Sequence, residues 1–259
     1  MALITIVMGV SLASCSKDDG SEKEDREEVS KEKKLKSMVR SLNEKSNLDI
    51  TYTFDYDLNG RLTEAKCING SNNDITSTKT YRFTWGEGII TATVNEETYN
   101  PSKYNTETYI LTIEDGLLKR EEADNLSITY SYSSKRLANF SYVKPSYEFS
   151  HTYIWENDKL LTIVEDNLTS TFTNWTQCKV GYSPVQALRG YKGEIDALIL
   201  AHPEIIGMRT KQLPTMEEWV DLKDAEFPYT YEFDSEGYVS KITERTEWDD
   251  LLTYKLSWE

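Results

Sequence analysis

The sequence predicts an all-β fold, an antiparallel up-and-down meander of roughly 14 strands that closes or strongly curls into a barrel. Three observations support this fold class. Apolar and aromatic residues recur at every second position, a turn signal follows each such run, and the runs repeat along most of the chain. An open twisted sheet rarely exceeds about 10 strands without curling, splitting or closing, and closure removes exposed edges.

The first clear hairpin lies in residues 50–66. In residues 50–56, apolar or aromatic side chains alternate with threonine and aspartate, so one face of the strand is apolar and the other is polar. The turn signal Asp57-Leu58-Asn59-Gly60 follows, and its glycine supplies a positive φ. Residues 61–66 then run back as the second strand.

The same unit recurs through the rest of the chain. Gly60, Gly88 and Gly116 mark three of the turns at intervals of 28 residues, whereas the turns at 133–135 and 156–158 contain no glycine. The predicted strands are 81–85 and 89–94, 109–113 and the run from 117, 128–132 and 137–143, 153–155 and 160–164, 229–233 and 238–246, and a last strand at 252–258.

Two stretches depart from this regular pattern. Residues 35–42 fit either a short amphipathic helix or a strand, and we favour a strand because it would complete a hairpin with residues 50–56. Residues 186–224 are predicted to be a helical insertion. Within it, residues 193–201 have helical spacing, His202-Pro203 ends that helix, and a second helical stretch is predicted at 216–222. Such an insertion can cap a barrel mouth or plug its lumen.

Composition restricts the partners that this chain can bind. Aromatic residues make up 12% of the 259 residues, which indicates a packed core instead of a disordered chain. The formal net charge is -15. Binding to nucleic acid, or to an anionic membrane surface through charge, needs clustered lysine and arginine, so neither is expected.

The first 34 residues differ in character from the remainder. Residues 1–14 are uncharged and contain an apolar run, and Leu12-Ala13-Ser14-Cys15 resembles the bacterial lipobox, although no lysine or arginine precedes the run. The resemblance implies a signal peptide over 1–14 and a lipid on Cys15; the alternative is a cytosolic start with a buried cysteine. Charged residues 15–34 are predicted to form a flexible tether to a single domain over 35–259.

Ser16-Lys17-Asp18-Asp19-Gly20 is similar to the acidic export tag that follows the lipid cysteine in Bacteroidetes surface lipoproteins. This similarity implies a lipid-anchored protein of the outer membrane that faces outward.

Three segments resemble one family, the Bacteroidetes outer-membrane lipoproteins of unknown function with a porin-like fold. These are the hairpins YTFDYDLNGRLTEA (52–65) and YTYEFDSEGYVSKI (229–242) and the insertion ALILAHPEIIGMRTKQLP (197–214). The hairpins also resemble YD repeats. The resemblance covers residues 35–259 and implies a β-barrel-like domain on a lipid anchor. The family brings no established catalytic residues.

Few residues outside the hairpins suggest chemistry. Cys67 and Cys178 either form a disulfide, as an exported protein allows, or are two separate buried thiols. The two histidines, His151 and His202, are far apart in sequence and are predicted to be structural. The chain contains no CxxC, HExxH, GxSxG or P-loop motif, so neither a metal nor a cofactor is expected. Among 44 Asp and Glu residues, a catalytic carboxylate pair is less expected than solvated side chains.

The six tryptophans raise the question of ligand stacking. Trp85, Trp155 and Trp258 alternate with polar residues and are predicted to pack in the core. Trp219 and Trp248 lie outside that pattern and are the candidate exposed aromatics, with Arg209 and Lys211 as candidate polar contacts to a ligand.

These observations favour a monomeric, non-enzymatic, lipid-anchored domain of the cell surface that binds a glycan or a protein. A structural component of an envelope assembly and a carboxylate-based hydrolase are the alternatives. A transmembrane pore is less favoured, because spanning strands need about 9–11 residues and an outward apolar band. Many predicted strands here are nearer seven residues, and several of them carry lysine or arginine.

Overall fold

The hairpin turns have the backbone geometry that their residues favour. Gly60, Gly88 and Gly116 have positive φ angles of 74°, 67° and 76°. In the turns without glycine, Ser134-Lys135 and Asn157-Asp158, both central residues have positive φ, which is typical of a type I′ turn. Turns of this type match the right-handed twist of the strands that they connect.

The computed structural model describes residues 32–43, 49–71, 74–99, 101–165, 168–178, 193–220, 225–246 and 249–259. The predictions for the signal peptide, for Cys15, for the tether up to residue 31 and for Trp248 concern residues outside these ranges.

Lys33–Glu259 form one compact unit. The strands are β1 (Leu35–Leu42), β2 (Ile50–Tyr56), β3 (Leu62–Ser71), β4 (Asp74–Trp85), β5 (Ile89–Tyr99), β6 (Ser102–Glu114), β7 (Leu117–Ala123), β8 (Leu126–Ser133), β9 (Arg136–Lys144), β10 (Tyr147–Glu156), β11 (Lys159–Glu165), β12 (Leu168–Gln177), β13 (Gln212–Trp219), β14 (Glu226–Phe233), β15 (Val239–Arg245) and β16 (Leu251–Trp258).

The sheet closes into an antiparallel barrel of 16 strands, in which each strand pairs with its neighbours in sequence and β1 pairs with β16. The predicted meander and its closure are therefore confirmed. The strand at 35–42 is confirmed as well, since Met38 lies opposite Tyr52 in the β1–β2 pair.

The predicted strand number of roughly 14 was slightly low. The two missing strands are β12 and β13, which flank the insertion. Most residues of β12 are threonine, serine or asparagine, so the apolar alternation is weak there. β13 contains Glu217 and Glu218 and pairs with β12 through Phe172↔Glu217.

In its described part, residues 193–220, the insertion is shorter and less helical than predicted. One α-helix, α1 (Asp196–Ala201), is followed by a 3₁₀ turn at Pro203–Ile206. The predicted second helix at 216–222 is wrong for its described part, because Met216–Trp219 belong to β13. The local pattern of 216–222 resembles a helix, but pairing with β12 and β14 determines its structure.

Inward and outward faces of the wall differ sharply in polarity. Thr112, Arg120, Thr129, Ser141 and Ser150 lie side by side on five consecutive strands and face outward. The adjacent row on the same strands, facing inward, is Leu111, Glu121, Ile128, Tyr142 and Phe149. Four of the five inward residues are buried, and Phe149 packs against the core.

Apolar side chains on the outer wall are isolated. Ile110 and Val143 are 40% and 41% exposed, and Glu122 and Ser127 stand between them in the same row. Over the described strands, the outer wall has no continuous apolar band of the kind that faces lipid in a membrane barrel.

The two ends of the barrel are different. The turns after β2, β4, β6, β8, β10 and β14 lie at one end, where Lys34 and Glu259 exchange backbone hydrogen bonds of 2.8 and 2.9 Å. We call this the plugged end, because residues 202–211 contact the strands there. The opposite end, formed by the β5–β6, β7–β8 and β9–β10 connections, is called the rim. Among the described residues, no helix has the length and apolar character to cross a membrane.

Candidate functional site

The insertion occupies the lumen of the barrel. Ala197, Leu198, Ile199 and Leu200 on α1 are fully buried and belong to the main hydrophobic core. At the start of the helix, the Asp196 carboxylate accepts hydrogen bonds from the Tyr52 and Tyr81 hydroxyls at 2.5 and 2.7 Å. The sequence allowed the insertion either to cap a barrel mouth or to plug the lumen, and in the structure it plugs the lumen.

His202 fastens the end of the helix to the wall. Its Nε2 accepts a 3.2 Å hydrogen bond from the backbone N–H of Leu62, and its Nδ1 lies 2.8 Å from the Glu204 carboxylate. The rings of Tyr56 and Trp85 pack edge-on against the imidazole. These contacts give His202 a structural role.

Arg136 holds the segment that follows the 3₁₀ turn. Its guanidinium donates to the carbonyl oxygens of Gly207, at 3.3 Å, and Arg209, and it pairs with the Asp158 carboxylate. The ring of Trp155 stacks under the same guanidinium, 5.1 Å from its central carbon. The plug is therefore attached to several strands of the wall.

Buried carboxylates inside the barrel are hydrogen-bonded to aromatic donors. Glu121 and Glu217 are both fully buried. Glu121 accepts from the Tyr130 hydroxyl at 3.1 Å, while Glu217 accepts from the Tyr229 hydroxyl and, at 2.9 Å, from the indole of Trp219. Such bonds compensate for the loss of water around a buried charge. Burial raises the pKa of Tyr130, so this hydroxyl stays protonated and acts as a donor.

A polar cavity of about 670 Å³ lies at the rim. It is lined by Asn105, Thr106, Glu107 and Thr108 of β6, by Ala123 to Leu126 around the β7–β8 turn, and by Lys144 of β9. Its volume falls within the range of about 300–1,000 Å³ that is common for ligand sites. We take this cavity as the candidate binding site.

Two charged side chains of the cavity have defined partners. Glu107 accepts hydrogen bonds from the Tyr109 hydroxyl and from the Asn105 amide, and the bond from Tyr109 lowers the pKa of its carboxyl. Lys144 lies 3.7 Å from the Glu194 carboxylate and above the ring of Tyr142. Tyr147, whose ring is exposed, lies directly opposite Lys144 in the β9–β10 pair.

Comparisons with known proteins agree with this fold. The chain is similar to the crystal structure of a porin-like protein from Bacteroides uniformis ATCC 8492, with a TM-score of 0.65 and 17% identity over 87% of this chain and 98% of that one. A porin-like protein from Bacteroides vulgatus ATCC 8482 matches with a TM-score of 0.28 and 10% identity over 84% of this chain and 86% of that one. No protein-family model and no curated protein matches the chain.

At this identity the first likeness shows the fold alone. That neighbour is a porin-like protein from Bacteroides, and this chain is a closed β-barrel. This agrees with the porin-like fold that the sequence resemblance implied.

The three described candidate ligand residues from the sequence, Trp219, Arg209 and Lys211, are not brought together. Trp219 ends β13 near the rim, where its ring packs on Phe227 at 4.7 Å. Lys211 precedes β13 at the plugged end, roughly 26 Å away along the strand. Arg209 is half-buried beside Arg136 at that same end.

Cys67 and Cys178 do not form a disulfide, so of the two alternatives that the sequence left open the structure has two separate buried thiols. The physical reason is their position in the barrel. Cys67 lies on β3, and Cys178 directly follows β12 on another part of the wall. Nothing in the part of the chain that the structure describes groups three or more histidine, cysteine, aspartate or glutamate side chains as a metal site.

The rim cavity was not predicted from the sequence, although a signal for it was present. Residues 102–108 (SKYNTET) are polar at nearly every position, so no apolar alternation marks an inward face there. A strand with two polar faces extends beyond the barrel core, and this is how β6 reaches the cavity.

Proposed function

We propose that this protein is a lipid-anchored, non-enzymatic binding module of the bacterial cell surface, and that its barrel is a closed scaffold and not a channel. The observation that carries the proposal is the polarity of the wall. Inward-facing residues are mainly apolar and aromatic, whereas outward-facing residues are mainly threonine, serine and charged residues. Barrels that span a membrane have the opposite arrangement.

The plug supports the same proposal. A barrel of 16 strands is wide enough to leave an aqueous channel when its lumen is empty. Here α1 and large aromatic side chains occupy the lumen, and Asp196, His202 and Arg136 attach the plug to the wall. Such a lumen is suited to rigidity and not to conduction.

The direction of the chain supports a role for the rim in binding. The chain enters β1 at the plugged end, where Lys34 pairs with Glu259. A tether from a lipid on Cys15 would therefore join the barrel at that end and leave the rim, with its polar cavity, available to a partner.

Two measurements test the proposal. Metabolic labelling with radioactive palmitate should label the wild-type protein and the Cys178→Ala variant but not Cys15→Ala, because the lipid is expected on one thiol only. The Cys15→Ala protein should stay in solution without detergent and should produce no conductance in planar bilayers. Labelling of Cys15→Ala equal to that of the wild type would refute the lipid anchor. Stable ion channels would refute the closed scaffold.

A further inference from the structure

The rim has a step between β6 and β7. β6 pairs with β5 along its whole length, from Thr112 opposite Ile89 to Ser102 opposite Tyr99. On its other side, the pairing of β6 with β7 stops at Ile110 opposite Glu122. Residues 102–109 therefore have one strand neighbour, β5, within the described part of the chain. Side chains 102–108 are exposed on both faces.

The backbone groups at this step can be assigned a direction. Ile113 donates its N–H to the carbonyl of Gly88 at 2.8 Å, toward the β5 side. Backbone groups of successive residues in a strand point to opposite neighbours, and the β5–β6 register is continuous. Asn105 and Glu107 thus bond toward β5. The N–H and C=O groups of Thr106 and Thr108 point toward the side that β7 leaves open.

The polar cavity follows this open edge. Four consecutive residues of β6, 105–108, line it. Successive side chains of a strand point to opposite faces, so a cavity that touches four in a row runs along the edge of the strand and not over one face. The β7–β8 turn, Ala123 to Leu126, forms its floor at the place where a longer β7 would continue.

The charge of the cavity is mainly acidic. It contains the carboxylates of Glu107 and Asp124, and its Lys144 already faces Glu194 at 3.7 Å. The chain as a whole carries a net charge of -15, so a second copy of the same chain would be repelled. A basic segment is complementary to the site.

We propose that the open edge of β6 binds an extended, lysine- or arginine-bearing segment of a partner protein, which adds as a strand in the place that β7 leaves empty. This inference rests on the proposed binding function and names the class of partner. Backbone groups of Thr106 and Thr108 supply main-chain hydrogen bonds, and Glu107 pairs with a basic side chain across the new strand pair. An unpaired strand edge is the usual template for such strand addition.

Three capped decapeptides test the proposal by calorimetry with the purified protein. The first alternates lysine and valine, the second alternates glutamate and valine, and the third is the first peptide with every second backbone nitrogen methylated. We expect the lysine peptide to bind, the glutamate peptide to bind about fivefold or more weakly, and the methylated peptide not to bind. Equal binding of all three would overturn the proposal.

Variants of β6 give the sharper comparison. Thr106→Pro and Thr108→Pro remove an edge N–H and should each weaken binding of the lysine peptide roughly tenfold. Thr106→Val and Thr108→Val keep the N–H and should bind as the wild type does. Circular dichroism melting checks that each variant folds. Full binding by a folded Thr106→Pro protein would contradict strand addition.

Hydrogen exchange of the wild-type protein provides a test without substitutions. The amides of Asn105 and Glu107 should be protected in the free protein, since they bond to β5. The amides of Thr106 and Thr108 should exchange quickly and become protected only when the lysine peptide is added. Protection of both without peptide, together with a dimer in sedimentation, would show edge pairing between copies instead. If the protein is labelled with palmitate and forms no channels but binds none of the peptides, the strand-addition proposal is overturned while the proposed anchored scaffold stands.

Discussion

The indole nitrogen of Trp85 on β4 donates a 2.7 Å hydrogen bond to the carbonyl of Leu62, the first residue of β3. Aromatic side chains elsewhere around the plugged end make the same contact with the preceding strand, from Trp155 to Leu137, Trp258 to Val239, Tyr56 to Leu35 and Tyr231 to Pro214. The contact repeats with the hairpin unit, so an inward aromatic both fills the core and satisfies a carbonyl near the start of the preceding strand.

Replacing Trp85 with phenylalanine tests the value of this bond. Trp85→Phe keeps an aromatic ring but leaves the Leu62 carbonyl without its donor, so the free energy of unfolding should fall by about 1–3 kcal/mol. Trp175→Phe is the matched control, because no acceptor for the Trp175 indole exists among the described residues. This variant should lower the free energy of unfolding by less than Trp85→Phe does. Urea unfolding followed by circular dichroism measures both. Equal losses would mean that ring volume, and not the hydrogen bond, is responsible.

Asp196 is expected to hold the plug in place. Asp196→Ala leaves the buried hydroxyls of Tyr52 and Tyr81 without their acceptor and should destabilise the fold by about 2 kcal/mol or more. Amides of residues 197–201 should exchange faster in this variant. Tyr104→Phe, which removes an exposed hydroxyl bonded to Asn95, serves as the control and should change stability by less than about 0.5 kcal/mol. Unchanged exchange in Asp196→Ala would contradict the fastening role.

Gly207 is expected to tolerate no side chain. Its φ is 64°, and an added Cβ would lie 2.3 Å from the carbonyl oxygen of Lys135. Gly116 has a similar φ of 76° with no atom within 4 Å of the equivalent position. Gly116→Ala should therefore lower the free energy of unfolding only by the cost of a positive φ for alanine, about 1–2 kcal/mol. Gly207→Ala should lower it clearly more. Thermal melting of the two variants compares them directly, and similar losses would argue against close packing of the plug.

Asp57 should make stability depend on pH in the acid range. Its Oδ1 accepts from the backbone N–H groups of Arg61 and Asn59, both at 2.9 Å, and the bond from Arg61 lowers the pKa of the carboxyl. Since the folded pKa is depressed, this stabilisation is present above the unfolded pKa of about 3.9 and is lost as the pH falls through the folded pKa.

The variant Asp57→Asn keeps an oxygen acceptor but has no charge. The difference in melting temperature between wild type and Asp57→Asn should be constant near neutral pH and should shrink once the pH falls below about 4. Asp115→Asn is the control, because the Asp115 side chain makes no hydrogen bond to the described residues. A wild-type minus variant difference that stays constant down to the lowest pH would rule out a role for the ionised carboxylate.

The thiols should be inert in the folded protein. Burial raises the pKa of the Cys67 thiol to about 12, so almost none of it is thiolate at neutral pH. Ellman's reagent should react with neither Cys67 nor Cys178 in native Cys15→Ala protein, and with both in denaturant. Detection of a disulfide between them by intact mass would contradict the structure.

Local patterns in the sequence were sufficient for most of the secondary structure. Alternation over 50–56 and the turn at 57–60 predict the β2–β3 hairpin, and the same signals predict most of the other strands. Helical spacing and His202-Pro203 predict α1 and its end. β12 was missed because most of its residues are threonine, serine or asparagine, and β13 was missed because the local pattern of 216–222 resembles a helix. Pairing with neighbouring strands makes both of them strands.

The sequence by itself determined the hairpin units, their turns and the helix, since each of these depends on residues close together in the chain. Only the tertiary structure decided which face of each strand became the inside, because alternation with period two is the same for a lipid-facing wall and for a packed core. The tertiary structure also decided that the insertion plugs the lumen and that the pairing of β6 with β7 stops short of the rim. Both depend on where pairing with distant residues begins and stops, and no local pattern encodes that.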